Sequence, residues 1–197
     1  MVALAVVAPP IPARVTLDEF YHMADLPDGA ELADGVVVVT PSPHADHSYL
    51  GRALFRALDA YVSARGLGEV FYDNTGYNLP VPGRPDTHRI PDVSFICADR
   101  VPRPLARRRP FTLAPDLVVE ILSDSDRRTV LAAKLADYRD AGTRLAWVVD
   151  PDARTVEVQA PPGAPARLLG GADVLDGSDV VPGFALPVAT LFAVLDD

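Results

Sequence analysis

The apolar run from Leu117 to Leu122 limits the fold of this chain more than any other segment, because it contains a single acid, Glu120. Its length and its valines predict a β-strand that is buried on both faces. A glutamate inside such a strand costs several kcal/mol of desolvation unless another group compensates its charge. We therefore expect Glu120 to have a compensating partner.

The residues after this strand predict a turn followed by a helix. The turn and N-cap residues are Ser123–Asp126, and the helix is predicted from about Arg128 to Ala141. Its buried stripe, at helical spacing, consists of Leu131, Leu135 and Tyr138. Lys134 is one residue from Leu135 and four from Tyr138, so it falls at the edge of this stripe and not opposite it.

Lys134 is also the only lysine in the chain, because the other seventeen of the 18 basic residues are arginine. An ammonium is a compact charge that can change its pKa and orient a water molecule, which a guanidinium cannot do. The bias therefore suggests that this position requires an ammonium. Chance survival in an arginine-rich chain is the alternative interpretation.

Asp92 is the second acid that could complete a site with Glu120. The alternation from Val93 to Cys97 predicts a strand with Pro91-Asp92 at its start, so Asp92 is either a strand-start acid or a second carboxylate of a site. Hard divalent cations such as Mg²⁺ prefer oxygen ligands, which Asp92, Glu120 and the carbonyl of Ile121 would supply. Lys134 would then offset phosphate charge or orient the attacking water, and pairing with Glu120 would keep it charged.

The rest of the chain predicts elements that surround these two strands. A short helix is predicted over Thr16–Ala24 with a capping box, and Asp34-Gly35 predicts a hairpin whose first arm carries Glu31. Glu31 taken alone is equally typical of an exposed strand. A long amphipathic helix is predicted from His47 to about Arg65, with His47 in its first turn. Further strands are predicted at 68–73, 77–81, 145–150 and 155–159, with short β pieces near 166–169 and 174 and a short helix at 188–195.

Composition restricts the class of protein further. The 197 residues predict one domain over 16–197 and a flexible arm over 1–15, without a signal peptide or a transmembrane run. A lone cysteine, Cys97, excludes an internal disulfide and favours the cytoplasm. The net charge of −9 argues against non-specific nucleic-acid binding. A local basic face remains open, since five arginines lie between two predicted strands; they are Arg100, Arg103, Arg107, Arg108 and Arg109. No glycine-rich phosphate loop, zinc-ligand spacing or Gly-x-Ser-x-Gly motif is present in the sequence.

Four motifs in order resemble the Uma family, whose members are assigned as endonucleases of the PD-(D/E)XK, restriction-endonuclease-like superfamily. They are Arg89-x-Pro-Asp-Val93, Pro115-Asp-Leu-Val-Val-Glu-Ile-Leu-Ser123, Lys134-x-x-x-Tyr138-x-x-x-Gly142 and Trp147-Val-Val-Asp-Pro151. Ala30-Glu31-Leu32-x-x-Gly35 and His47 also resemble the N-terminal half of that family.

The resemblance implies an α/β (α+β) fold, a restriction-endonuclease-like mixed β-sheet core flanked by helices with extra β-hairpins. It implies Asp92 and Glu120 as ligands of Mg²⁺ or Mn²⁺, and Glu31 as a helper acid near the metal. The superfamily places a lysine two residues after the glutamate, where this chain has Leu122, so the resemblance implies that Lys134 has taken over that role. The residues expected in accessory positions are His47, Tyr138 and Arg89.

The leading functional hypothesis is a divalent-metal-dependent endonuclease acting on DNA, in which the residues indicate metal and phosphate and the resemblance supplies DNA. A second hypothesis is a catalytically inactive nuclease fold that serves as a binding or assembly module, which the acidic pI favours. A third is hydrolysis of another phosphorylated substrate in the same site. No membrane partner is expected, and a homodimer is left open.

Overall fold

A six-stranded mixed sheet forms the centre of the computed structural model, which describes residues 14–40, 44–72, 74–104, 109–123, 128–160 and 165–196. One neighbouring pair of its strands, Leu117–Ile121 and Leu145–Asp150, is parallel, and the other neighbouring strands of this sheet are antiparallel. In spatial order the strands are β10 (Arg167–Leu169), β9 (Thr155–Gln159), β8 (Leu145–Asp150), β7 (Leu117–Ile121), β6 (Val93–Cys97) and β3 (Gly68–Tyr72). The mixed α+β fold predicted from the sequence is confirmed.

The parallel pair is joined by the helix that carries Lys134. This helix, α3, spans Arg128–Ala141, the bounds predicted from its periodicity. It ends at Gly142, whose φ of 104° is readily adopted only by a residue without a side chain. A β–α–β unit must return its helix over the sheet, so α3 covers one face of β7 and β8. The predicted turn residues 124–126 lie outside the described residues.

The opposite face of the sheet is covered by the long helix α2, Ala45–Ser63, which begins two residues earlier than predicted. Its buried leucines, Leu50, Leu54 and Leu58, pack in one apolar cluster with alternate residues of β7 and β8. The C-terminal segment closes the same cluster. It consists of the hairpin strands β11 (Val174–Asp176) and β12 (Ala185–Pro187), helix α4 (Val188–Phe192) and a 3₁₀ turn (Ala193–Leu195).

A second sheet of four short strands lies in the N-terminal half and was only partly predicted. The predicted hairpin is present, with Asp34 (φ 48°) and Gly35 (φ 79°) at its turn. In spatial order the strands of this sheet are β2 (Val36–Val38), β1 (Glu31–Ala33), β5 (His88–Arg89) and β4 (Tyr77–Asn78). Arg89 thus belongs to a different sheet from β6, because Ile90, Pro91 and Asp92 separate the two strands. Helix α1, Leu17–His22, has the predicted capping box of Thr16 and Glu19.

Within the described ranges no helix is long and apolar enough to cross a membrane. The predicted arm over 1–15 falls almost wholly outside those ranges, which begin at residue 14.

Candidate active site

Asp92 and Glu120 lie together at one end of the adjacent strands β6 and β7, in a cleft of about 390 Å³. The Asp92 amide donates to the carbonyl of Val119 at 3.1 Å, which continues the β6–β7 ladder by one residue. The Ile121 amide donates to Asp92 Oδ2 at 2.6 Å. The backbone thus holds the aspartate beside the segment that carries the glutamate.

Lys134 reaches the same place from α3. Its Nζ lies 2.8 Å from Glu120 Oε2, 2.9 Å from Glu31 Oε1 and 2.9 Å from the carbonyl oxygen of Ile90. The side chain is only 14% exposed, so the ammonium is held by oxygen atoms on three separate segments. The need for an ammonium at this position, as opposed to chance survival in an arginine-rich chain, stays a prediction.

Glu31 is buried in the centre of this cluster, and its interpretation as an exposed strand acid is wrong. Its Oε1 accepts from the Ile90 amide at 2.8 Å as well as from Lys134, and its Oε2 accepts from Arg89 Nη1 at 3.0 Å. Burial acts to raise the pKa of Glu31, but Lys134 and Arg89 outweigh it and lower that pKa. Glu31 is therefore a carboxylate that orients two cations.

Tyr138 and His47 contact the two proposed metal ligands from opposite helices. The Tyr138 hydroxyl, one turn after Lys134 on α3, donates to Glu120 Oε1 at 3.0 Å. His47 Nε2, on α2, lies 3.1 Å from Asp92 Oδ2. The two helices that sandwich the sheet thus each supply a side chain that orients one acid.

The cluster continues into a buried ion-pair network that the sequence did not predict. Arg89 donates through Nε and Nη2 to Asp137 Oδ2 at 2.9 and 2.6 Å, and Asp137 also pairs with Arg84. Asp137 is buried beside Tyr138 and follows Lys134 by three residues on α3. The sequence signal for this network was Asp137 itself, an acid on the buried side of a predicted helix. No local sequence pattern indicated which residues it would pair with.

Burial and neighbouring carboxylates raise the pKa of Glu120 to about 8, although Lys134 acts in the opposite direction. Burial acts to lower the pKa of Lys134, but Glu120, Glu31 and Asp92 raise it above its ordinary value. Lys134 is therefore a permanent cation near neutral pH. A positive charge bound beside Asp92 and Glu120 would act against the raised pKa of Glu120 and favour its carboxylate form.

The chain is similar to known proteins in both sequence and structure. A family described as "Uma2: Putative restriction endonuclease" matches residues 17–189, which is most of the chain. The chain belongs to the Uma2 family. No curated protein matches it. The crystal structure of a putative nuclease belonging to DUF820 from Anabaena variabilis ATCC 29413 is similar, with a TM-score of 0.79 and 23% identity over 92% of this chain and 99% of that one.

Position 122 is where the superfamily that the sequence resembles carries a lysine, two residues after the glutamate. Leu122 is half-buried and packs against the apolar cluster under α3, so no cation stands two residues after Glu120. Lys134 is instead the cation that contacts Glu120. That Lys134 takes over the role of the superfamily's strand lysine stays a prediction.

The donor chemistry of the site fits a hard divalent cation. Asp92 and Glu120 contribute carboxylate oxygens to one cleft, and two carboxylates plus water are what Mg²⁺ commonly uses. Both contacts of Asp92 use Oδ2, and Oδ1 has no hydrogen-bond donor in the described part of the chain. Among those residues no group of three or more His, Cys, Asp or Glu side chains is arranged to hold a metal.

The predicted basic face between β6 and β7 is partly neutralised where the structure describes it. Arg100 pairs with Asp116 at 2.6 Å and Arg103 with Glu69 at 3.2 Å. Arg109 is exposed and forms no ion pair with the described residues, and Arg107 and Arg108 lie outside those residues. The arginines of this face that pair with carboxylates are therefore Arg100 and Arg103.

Proposed function

We propose that this Uma2 protein is a divalent-metal-dependent nuclease that hydrolyses phosphodiester bonds in DNA. The observation that carries the proposal is the convergence of Asp92, Glu120 and a saturated, buried ammonium, Lys134, in one cleft. The family supports nuclease chemistry, and the acid-rich cleft supports a cation. DNA is the substrate that the family description favours.

Asp92 and Glu120 would hold the cation, with the carbonyl of Ile121 as a further oxygen donor. When bound, Mg²⁺ or Mn²⁺ would stabilise charge on the phosphate and make a water molecule more acidic. His47 and Tyr138 would keep the two carboxylates oriented, because each lies within hydrogen-bond distance of one of them.

Lys134 would place a positive charge beside the scissile phosphate. If Glu120 turned to the cation, the N–H that contacts Glu120 would become available to orient the attacking water. Glu31 and the Ile90 carbonyl would hold the ammonium in position whichever partner Glu120 has. Arg89 acts one step away, since it orients Glu31. A site assembled before the substrate arrives needs no reorganisation during the reaction.

The experiment that tests this proposal combines metal binding with cleavage. Mg²⁺ and Mn²⁺ should raise the melting temperature of the protein, because a ligand that binds only the folded state must stabilise it. The same metals should support nicking of plasmid and of single-stranded DNA. Asp92→Asn and Glu120→Gln should reduce both effects, whereas Glu69→Gln, an exposed acid on β3, should leave both unchanged. Full cleavage by Glu120→Gln would contradict the proposal.

The three oxygen partners of the Lys134 ammonium also favour a second candidate function. An ammonium with three oxygen partners is also what a purely structural ion pair requires, and the described residues form no three-ligand metal cluster. A nuclease fold that only binds DNA or assembles with a partner would keep this arrangement. DNA binding without cleavage in either metal would favour that function, and cleavage of phosphomonoesters alone would favour another phosphorylated substrate.

A further inference from the structure

Most arginines in the described residues of this acidic protein form ion pairs with carboxylates of the same chain. Those that pair with carboxylates in the described residues are Arg14, Arg84, Arg89, Arg100, Arg103, Arg139, Arg144, Arg154 and Arg167. Arg52 and Arg56 on α2 are exposed and, like the exposed Arg65 and Arg109, have no carboxylate within ion-pair distance in the described part of the chain. Arg52 and Arg56 are the two that lie together on one helix, in a chain with a net charge of −9.

Their position connects them to the cleft. His47 and Ser48, in the first turn of α2, line the cleft, and Tyr72 packs there with its hydroxyl 3.4 Å from the Ser48 carbonyl oxygen. Arg52 follows Ser48 by four residues and Arg56 follows by eight, so the three lie along one side of the helix at intervals of about 6 Å. The positive end of the α2 dipole lies at the cleft end of this row.

Tyr49 lies beside Arg52 on the same helix. The residue is 47% exposed, and the Arg52 guanidinium lies 5.2 Å from the centroid of its ring. A cation held over an aromatic face loses less freedom on binding than a free arginine side chain. The nearest acid along the helix, Asp59, accepts from Ser63 at 3.3 Å and forms no ion pair with Arg56.

We propose that Arg52 and Arg56, the α2 arginine surface, bind the phosphate backbone of the DNA strand as it leaves the cleft. This inference rests on the proposed function for the identity of its ligand. Arg52 contacts one phosphate and Arg56 the next along the strand, while Tyr49 keeps Arg52 in place. The surface supplies the local basic character that the acidic chain as a whole lacks, because backbone binding depends on neutralised phosphates and not on net charge.

The test compares Arg52→Gln/Arg56→Gln with a matched control that removes two charges elsewhere. The control is Arg103→Gln/Arg139→Gln: Arg103 pairs with Glu69, near the end of β6 away from Asp92, and Arg139 lies in the last turn of α3. Fluorescence anisotropy with labelled single-stranded and duplex DNA in chelator measures affinity over a range of salt concentrations. Hydrolysis of bis(p-nitrophenyl) phosphate with Mn²⁺ measures the chemistry on a diester too small to reach α2.

Loss of two phosphate contacts should lower the slope of log affinity against log salt by about 1.4 for single strands and about 1.8 for duplex. At 0.1 M salt this corresponds to a weakening of roughly 25- to 60-fold. The control should change the affinity only a few-fold, and both variants should hydrolyse the small diester like the wild type.

Unchanged DNA affinity in the α2 variant would overturn the inference, and so would equal weakening in the control, which would indicate a net-charge effect. A wild type that binds no DNA would overturn it as well. Sedimentation velocity covers another occupant: a dimer that dissociates in the α2 variant, with DNA affinity intact, would make the surface a self-association site. If the wild type binds DNA through these arginines but hydrolyses nothing, the surface stands and the proposed nuclease function fails.

Discussion

The two faces of β7 differ more than any other two regions of this protein. Leu117, Val119 and Ile121 belong to the apolar cluster under α2. On the opposite face, Val118 packs under α3 and the next residue along that face, Glu120, contacts Lys134 and Tyr138. One strand therefore contributes to the core with one set of residues and to the candidate site with the other.

The difference shows how a chain of this size separates stability from function. The α2 face tolerates any close-packed apolar side chains, because the hydrophobic effect is non-directional. The α3 face carries charges that are acceptable only while each has its partner. Substitutions on the two faces should therefore differ in kind, and the following predictions test that difference in order of expected size.

Lys134→Met should have the largest effect on stability. The change keeps the aliphatic stem but leaves Glu120 and Glu31 buried without their shared ammonium, which typically costs about 3–5 kcal/mol. Urea unfolding in chelator measures this loss.

The matched double variant Lys134→Met/Glu120→Gln removes one stranded charge and should recover part of the loss, in the manner of a double-mutant cycle. Glu120→Gln alone should cost less than Lys134→Met, because Glu31 and the Ile90 carbonyl still hold the ammonium. A double variant less stable than Lys134→Met would show that the pair is not the source of the loss.

Lys134→Arg tests whether the α3 face needs an ammonium or only a positive charge. A guanidinium is planar and bulkier, so it cannot occupy the position between Glu120, Glu31 and the Ile90 carbonyl. We expect cleavage to fall on the order of 10²-fold or more, as when one preorganised donor is lost. Mn²⁺-supported nicking of plasmid and single-stranded DNA measures the rate, and the metal-induced rise in melting temperature should survive. Wild-type activity of this variant would make the solitary lysine an accident of composition.

His88, on β5, shows how a buried titratable group behaves when it is kept neutral instead of paired. Burial lowers its pKa from 6.5 to about 4; Arg89 acts in the same direction and Glu31 in the opposite one. Between these values the unfolded chain binds a proton that the folded chain does not, so stability falls as the pH falls through this window. At pH 5 the loss is about 2 kcal/mol.

Urea unfolding at pH 7 and pH 5 should therefore show a smaller decrease in stability for His88→Gln than for the wild type. His22→Gln, which changes an exposed histidine on α1, is the control and should keep the wild-type decrease. Equal decreases in all three proteins would contradict a neutral His88.

Val119→Ala, on the α2 face of β7, should have the smallest effect. It removes two buried methyl groups and should cost about 1.5 kcal/mol of stability. Cleavage by the folded protein should remain at the wild-type rate, because the side chain faces away from the site. Melting temperature and nicking measured on the same preparation test this, and a loss of activity larger than the loss of folded protein would remove the separation between the two faces.

Local sequence patterns alone determined the strand with Glu120, the bounds of α3, the position of Lys134 at the edge of its buried stripe, and the strand that begins after Asp92. They did so because periodicity, caps and turn residues act within a few positions of the chain. They did not determine where Glu31 and Arg89 lie or that Asp137 belongs to the network. Glu31 meets Arg89 across 58 residues and Arg89 meets Asp137 across 48, through a second sheet whose pairing no local pattern specifies. The tertiary structure decided the partners of these charges, because only the assembled fold excludes water from them. A charge that is buried in this way is tolerated only beside an opposite charge.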